Sequence, residues 1–294
     1  MQLAPVAAVV LVMALFLAGC GAPAPVAPPS SPATSTVPAA TVPPEGVRIE
    51  LFQQRSDYGP RRIQLAVVND GPNDIEVLGL RLSSPYLATD AEPANFPYTV
   101  KGGTTVNFPV VLPAAACDTA ARTSDPVAQL DYAGVGGPRS VRLIPTQPFD
   151  SLELVHTNEC RQDAFESRVA ITPGSTIRLE KDAEGKLTAL LSIRLAPTGK
   201  AGRASITRIG GTILLDVQPV RRLPISFGPQ SPVVTIVVRA TPTRCDPHVV
   251  GEDKVGTILP VTVSVGGDSG TFSLALPATL RNQYLQFVST ACGW

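Results

Sequence analysis

Histidine, methionine and tryptophan are almost missing from this chain of 294 residues. The histidines are His156 and His248, both methionines lie within the first 13 residues, and Trp294 is the single tryptophan. A blue-copper site uses two His, a free Cys and usually an axial Met, so this inventory disfavours one. Aromatic residues make up only 5% of the chain, which also disfavours stacked platforms for sugar rings. We therefore expect neither a metal nor another cofactor.

The short motifs of several large enzyme classes are also missing. The sequence has no Gly-x-Ser-x-Gly nucleophile elbow, no Gly-Lys phosphate loop and no His-Glu-x-x-His zinc motif. Its formal charge is zero, with 24 basic and 24 acidic residues and no block of one sign. Binding to nucleic acid requires a basic surface that neutralises phosphates, so nucleic acid is not an expected partner.

One apolar run stands near the start of the chain and ends in a short motif. Residues 6–17 are twelve consecutive apolar residues, too few to span a bilayer, which needs roughly 20 residues. A run of this length suits the central region of a secretory signal, and the small residues Ala18 and Gly19 follow it. The motif Leu17-Ala18-Gly19-Cys20 resembles the lipobox of bacterial lipoproteins.

That resemblance implies a signal peptide over residues 1–19 and an acylated Cys20 as the new N-terminus. It further implies a membrane partner, reached through the lipid, on the extracytoplasmic face of the cell membrane. Residues 1–8 contain no Lys or Arg, unlike a typical signal, which leaves an atypical signal or an upstream start codon. The alternative is an uncleaved apolar helix with an incidental Cys20.

A proline-rich segment over residues 20–46 follows the motif. Residues 21–46 contain eight Pro and six Ser or Thr, and Glu45 is the only charged residue. Such a composition cannot bury a core, so we expect a disordered tether. A glycosylated stalk is the second interpretation, because Ser/Thr with Pro is typical of such stalks.

Beyond the tether the pattern is one of short strands separated by turns. Alternating or β-branched apolar residues predict strands at 47–52, 62–68, 75–82, 104–112 and 140–144. We find no helical periodicity over three turns, so an antiparallel sandwich is expected. The turn at 69–74, Asn-Asp-Gly-Pro-Asn-Asp, resembles the hairpin turns of bacterial surface domains.

The second half of the chain repeats the first in pattern. Residues 110–118 align with 238–246 at an offset of 128, and 63–72 align with 190–199 at an offset of 127. We infer two copies of one unit, over residues 47–163 and 164–294. Together they resemble tandem immunoglobulin-like domains. The fold class predicted is therefore all-β, with two tandem antiparallel immunoglobulin-like β-sandwich domains after a signal helix and the tether.

The duplication also orders the remaining cysteines. Four cysteines allow three pairings. Because each copy has one cysteine before its last strands and one at its end, pairing within copies is favoured. We predict the disulfides Cys117–Cys160 and Cys245–Cys292, formed in an oxidising compartment.

Three residues are candidates for chemistry. His248 lies in an acidic loop and could serve a metal or act as a base, although a polar turn explains the loop as well. Ser269 lies in a Gly-Asp-Ser-Gly string similar to the nucleophile segment of chymotrypsin-like proteases, yet a glycine-rich hairpin turn explains it. Alternation with Leu152 and Leu154 predicts that His156 lies on a strand, half-buried near the disulfide.

The function indicated is a lipid-anchored cell-envelope binding or scaffold protein without intrinsic catalysis. Its expected partner is an envelope protein or polymer, which strand edges and loops can contact. The alternative is an envelope hydrolase or metal-dependent enzyme that uses His248 or Ser269.

Overall fold

The computed structural model describes residues 42–117 and 124–294. The predicted signal peptide, Cys20 and nearly all of the tether lie outside the described residues. None of the helices in the described ranges is long and apolar enough to cross a membrane.

The first seven strands form two antiparallel sheets. Their order is β1-β2-β5 in one sheet and β4-β3-β6-β7 in the other. The central strand β2 is buried at every position after Arg62, whereas β1 alternates between buried and more exposed side chains, as a strand with one face on a core does. The strands are β1 (Val47–Phe52), β2 (Arg62–Asn69), β3 (Ile75–Ser83), β4 (Tyr98–Val100), β5 (Thr104–Val111), β6 (Val127–Gly134) and β7 (Gly137–Leu143).

The next eight strands repeat this arrangement. Their sheets have the orders β11-β13-β9-β8 and β12-β10-β14-β15, again antiparallel throughout. The strands are β8 (Val169–Lys181), β9 (Leu187–Pro197), β10 (Ala204–Ile209), β11 (Leu215–Pro219), β12 (Ile225–Phe227), β13 (Val234–Pro242), β14 (Ile258–Val265) and β15 (Asp268–Ala275).

The two sandwiches correspond strand by strand. Removing β11 from the second sandwich leaves the same order of strands in both sheets. Pro97 precedes the short edge strand β4 and Pro224 precedes its counterpart β12, and these prolines are 127 residues apart. Strands 1, 2 and 5 in one sheet and 3, 6 and 7 in the other match an immunoglobulin-like sandwich. The all-β, two-sandwich prediction is confirmed.

The absence of helical periodicity over three turns was misleading, because the described residues include two long helices and a short one. Helix α1 spans Ser151–Glu166, α2 spans Pro247–Glu252 and α3 spans Ala278–Cys292. Helices α1 and α3 each follow the last strand of their sandwich and carry its second cysteine. The duplicated unit is therefore a sandwich followed by a helix, and the segment around His156 that alternation predicts to be a strand is helical.

Two separate hydrophobic cores fill the sandwiches. The first runs from Val47 to Leu152 and the second from Phe165 to Val288, with no buried residue in common. Leu152 and Phe165 both belong to α1, so this one helix has an end in each core. The predicted boundary between residues 163 and 164 falls inside α1.

The turn at residues 69–74 does not close a hairpin. It joins β2 to β3, which belong to different sheets. The buried Asn69 holds it, because its Nδ2 donates to the carbonyls of Asn73 (2.8 Å) and Val100 (3.2 Å) and its Oδ1 accepts from the Gly71 N–H (3.1 Å). The polar turn sequence therefore serves a crossover, and its resemblance to a hairpin turn was misleading.

Helix α3 packs on the second sandwich through a continuous apolar face. Leu280, Tyr284, Phe287 and Val288 are all buried and follow the spacing of one helix face. Burial raises the pKa of Tyr284 far above its ordinary value near 10, because the charged phenolate would lose its water.

We expect alkaline pH to destabilise the second domain through Tyr284. Below about pH 10 the phenol is protonated in both states, so its contribution is fully present there. Above about pH 10 only the unfolded chain ionises, and stability falls by up to about 1.4 kcal/mol per pH unit. Urea unfolding from about pH 8 to about pH 11 should show a shallower loss in Tyr284→Phe. Tyr58→Phe, at a 48% exposed position, is the control and should keep the wild-type slope.

The edge strand β5 carries a proline on its outer side. Leu112 N–H donates to the Arg61 carbonyl. The backbone N–H and C=O groups of the even-numbered residues of β5 therefore point towards β2, and those of the odd-numbered residues point away from the sheet edge. Pro109 is one of the outward residues and has no N–H to offer a further strand. In the second sandwich its counterpart is Val237, whose carbonyl accepts from Val220 N–H just beyond β11. Pro109 thus stands where the second copy adds a strand.

Pro109→Val should promote self-association through β5. The substitution supplies the missing outward N–H and matches the residue of the second copy, so an unprotected edge results. Sedimentation velocity over a concentration series should show dimers or larger species that the parent protein does not form. Pro229→Val, in an exposed loop, controls for loss of a proline. Unchanged sedimentation of the Pro109 variant would show that another feature protects this edge.

Candidate functional site around the first disulfide

Both predicted disulfides are present. Cys117 bonds to Cys160 across a Cα–Cα distance of 5.2 Å, and Cys245 bonds to Cys292 across 5.3 Å. Each joins the segment after β5, or after its counterpart β13, to the helix that follows the sandwich. The pairing within copies is confirmed, and each bond holds a helix to its own sandwich.

His156 lies directly beside the first disulfide. Its side chain is on α1, one helical turn before Cys160, and only 8% of the residue is exposed. Its Nε2 lies 3.0 Å from Cys160 Sγ and 3.2 Å from the Ala116 carbonyl oxygen. The Tyr86 ring packs at a tilt with a centroid separation of 5.5 Å. The predicted nearness to the disulfide is correct.

The predicted surroundings of His156 are wrong in the rest. It is on a helix instead of a strand, and it is buried instead of half-buried. Leu154, which strand alternation placed on the same face, is 57% exposed. Four residues separate His156 from Cys160, and this spacing puts two side chains together only on a helix.

The neighbours of the imidazole fix the position of its hydrogen. A backbone carbonyl oxygen only accepts hydrogen bonds, and a disulfide sulfur has no hydrogen to donate. Nε2 therefore carries a hydrogen, which it directs towards the Ala116 carbonyl and Cys160 Sγ. The disulfide thus has an N–H donor at one of its two sulfurs.

An ion pair holds α1 against the first sandwich independently of the disulfide. Arg61 binds Glu159 in a bidentate manner, with Nε–Oε1 and Nη2–Oε2 distances of 2.5 and 2.7 Å. The same guanidinium donates to the carbonyls of Leu112 and Pro113, each at 3.0 Å. The hydrogen bonds to Glu159 raise the pKa of Arg61 above its ordinary value. The start of α1 is also fixed, because Ser151 Oγ accepts from Gln53 N–H at 3.3 Å.

One sulfur each from Cys117 and Cys160 and one ring nitrogen of His156 lie within 4.8 Å of one another. Thiolates are the form of cysteine that binds zinc or copper. Here the two sulfurs are bonded to each other, so the group is a disulfide with an adjacent imidazole.

The second disulfide has different neighbours. Cys292 Sγ lies 3.8 Å from the Arg244 carbonyl oxygen, and the Trp294 indole N–H donates to the Cys245 carbonyl at 3.0 Å. His248 follows Cys245 by three residues, but it lies exposed on α2. The one tryptophan of the chain therefore supports the second disulfide from the end of the chain and belongs to neither core.

His248 and Ser269, the sequence candidates for catalysis, lie at exposed positions on separate elements. His248 is in the first turn of α2, where its backbone N–H donates to Asp246 Oδ1 at 3.0 Å in a helix N-cap. Ser269 is on β15, paired with Ser264 across the hairpin. The turn of that hairpin is Gly266-Gly267, both with positive φ, as a tight turn requires. Each residue therefore has the local structural role that its sequence context offered.

A shallow depression of about 400 Å³ is lined by Gly228, Pro229, Gln230 and Ser231. None of these side chains titrates in the physiological range or ligates metals as an anion. The depression lies in the loop after β12, away in sequence from each of the candidate residues. It adds no catalytic group.

No protein-family model matches this chain, and no curated protein matches it. Among solved structures, an exo-chitosanase from Amycolatopsis orientalis aligns at 16% identity and a TM-score of 0.21 over 79% of this chain and 26% of the enzyme. The chaperone–tip adhesion subunit complex of archaic chaperone-usher pili from Acinetobacter baumannii aligns at 8% identity and a TM-score of 0.18 over 73% of this chain and 91% of that chain. The chain spans about a quarter of the exo-chitosanase chain. Scores this low assign no function.

Proposed function

We propose that this chain is a lipid-anchored protein of the cell envelope whose two domains bind or scaffold an envelope protein or polymer. Cys20 would carry the lipid and hold the protein on the extracytoplasmic face of the cell membrane. The domains themselves would catalyse no reaction.

The presence of a disulfide in each domain is the observation that carries the proposal. Such bonds persist in oxidising, extracytoplasmic compartments and are rare in the cytosol. They agree with the lipobox resemblance at residues 17–20, which rests on separate residues. Two independent features of the chain thus support export.

The distribution of the reactive side chains supports a binding role over hydrolysis. A triad needs a nucleophile within hydrogen-bond reach of a base that a third group orients. His248 and Ser269 are both exposed and lie on α2 and β15, while His156 faces a disulfide. β-Sandwiches instead present strand edges and loops, which are the surfaces that bind peptides and polymers.

Cys20→Ala tests the anchor. We expect the full-length variant to leave the membrane fraction, whereas the wild-type protein should stay there and carry the added mass of acyl chains on its N-terminal peptide. The physical reason is that each buried methylene contributes about 0.8 kcal/mol, so two acyl chains hold a protein stably. An unmodified Cys20 in cells would refute the lipoprotein assignment.

Proximity labelling from the anchored full-length protein tests the binding role. We expect enrichment of a specific envelope component relative to an anchored domain of unrelated sequence. Hydrolysis of envelope substrates by the purified protein, lost in His248→Ala or Ser269→Ala, would favour the alternative enzyme. The labelling uses the anchored protein and the hydrolysis assay uses the purified protein, and the two results together rank the two functions.

A further inference from the structure

We propose that Cys117–Cys160 is a redox-active disulfide, which an external dithiol reduces by attack on Cys117 while His156 stabilises Cys160 as the leaving thiolate. The proposal assigns a thiol–disulfide exchange site to the first domain. The Cys245–Cys292 bond of the second domain is then purely structural.

The two sulfurs of the first disulfide differ in surroundings. Cys117 is exposed, whereas Cys160 is half-buried on α1. An incoming thiolate therefore reaches Cys117 Sγ more readily than Cys160 Sγ. The attack would release Cys160 Sγ, and this is the sulfur that His156 Nε2 contacts at 3.0 Å.

The exchange balances without a further cofactor. One thiolate of the dithiol forms a bond to Cys117 Sγ, and the bond between Cys117 and Cys160 breaks with its electron pair on Cys160 Sγ. The second thiolate of the dithiol then displaces Cys117, which leaves as a thiolate, and the reagent becomes a cyclic disulfide. The dithiol is oxidised by two electrons and the protein disulfide is reduced by two. The protons that the dithiol loses are available to the two cysteines.

His156 lowers the cost of the first step. Exchange is faster when the departing thiol is a better leaving group, and hydrogen-bond donors or positive charge beside a sulfur stabilise its thiolate. Hydrogen bonds to charged acceptors are about twice as strong as those between neutral groups. The contact to Cys160 therefore gains strength as negative charge develops on the sulfur.

The second disulfide is an internal comparison. It also has one exposed cysteine, Cys245, and one half-buried helical cysteine, Cys292. The atom placed near Cys292 Sγ is the Arg244 carbonyl oxygen at 3.8 Å, which accepts hydrogen bonds and cannot stabilise a thiolate. The two bonds thus match in accessibility, and among the described residues a cluster of two sulfurs and a ring nitrogen within 4.8 Å of one another forms only at the first bond.

Opening the first bond would not release α1. Leu152 at the start of the helix is 1% exposed in the first core, and the bidentate Arg61–Glu159 pair lies one residue before Cys160. Those contacts remain when the sulfur–sulfur bond is broken. The reduced protein should stay folded and be able to close the bond again.

The test is site-resolved reduction of the full-length protein. Folded protein is treated with dithiothreitol, free thiols are trapped with iodoacetamide at timed intervals, and mass spectrometry reports the Cys160 and Cys292 peptides separately. We expect the Cys117–Cys160 bond to be reduced on the order of tenfold faster than Cys245–Cys292. Equal rates, or faster reduction of the second bond, would overturn the proposal.

Variants at His156 separate the imidazole from other causes. His156→Phe keeps a ring against Tyr86 but removes the donor, and it should slow the first bond to the rate of the second. His156→Gln retains an N–H donor and should fall between the two. His248→Phe is the matched control and should change neither rate. An unchanged first-bond rate in His156→Phe would overturn the proposal. If that variant unfolds, a changed circular dichroism spectrum will reveal it, and the wild-type ratio then decides.

Discussion

Phe165→Ala should lower the free energy of unfolding of the second domain by about 3–5 kcal/mol. The side chain has no exposed area and packs with Phe272 of β15 at a ring-centroid distance of 6.3 Å. Phe165 lies in the last turn of α1, and Arg161 of this helix donates to the Thr271 carbonyl of β15 at 3.0 Å. Truncation leaves a cavity in the second core and loosens the helix from β15, so both losses add.

Urea unfolding followed by circular dichroism measures this loss. Leu154→Ala removes a large apolar side chain from the same helix at a 57% exposed position, and it should change stability by less than about 0.5 kcal/mol. A loss below about 1 kcal/mol for Phe165→Ala would contradict the view that α1 is anchored in the second core.

Removing Cys245–Cys292 with a double alanine substitution should cost about 4 kcal/mol. The bond closes a loop with a sequence separation of 47, and its loss frees the unfolded chain. Helix α3 should remain docked in the native state, because four buried side chains still hold it. The main effect is therefore on the unfolded chain, and the midpoint of urea unfolding should fall.

The Cys117–Cys160 pair provides the matched comparison. Its separation is 43, so the chain-entropy model predicts almost the same loss for the double alanine variant. Two similar losses would support a shared entropic origin. A large loss for only one pair would mean that its helix depends on the covalent bond for docking.

Alternating strands were the most predictable part of this fold. The segment 47–52 matches β1 at both ends, and the hairpin around Gly266 and Gly267 was expected from glycine content. The repeat predicted which cysteines form disulfides, because both copies have their two cysteines in the same order along the chain. Strand β11 was not predictable from the repeat, since the first copy has only an isolated bridge, Leu87 to Ala115, at that place.

The two long helices were missed for different reasons. In α3, Leu280, Tyr284, Phe287 and Val288 form a stripe that a search at helical spacing would have found. In α1 the buried apolar residues are Leu152 near one end and Phe165 near the other, with polar side chains between them. Such a helix has no stripe, because it serves two cores and a disulfide instead of one surface.

The surroundings of His156 could not be read before the helix was known. On a strand, residues 156 and 160 would be separated by about 13 Å, whereas on a helix they are adjacent. The contact to Cys160 depends wholly on that difference. The pairing of cysteines, by contrast, required only their order along the chain.

Pro109 has a consequence for chains that share a lipid surface. Proteins anchored as proposed diffuse in two dimensions with a common orientation, so like edges meet far more often than in solution. An open strand at the side of the first sandwich would then template a growing ribbon of neighbours. If the proposed anchor is present, the missing amide hydrogen of Pro109 would oppose that growth and keep neighbouring molecules separate on the surface.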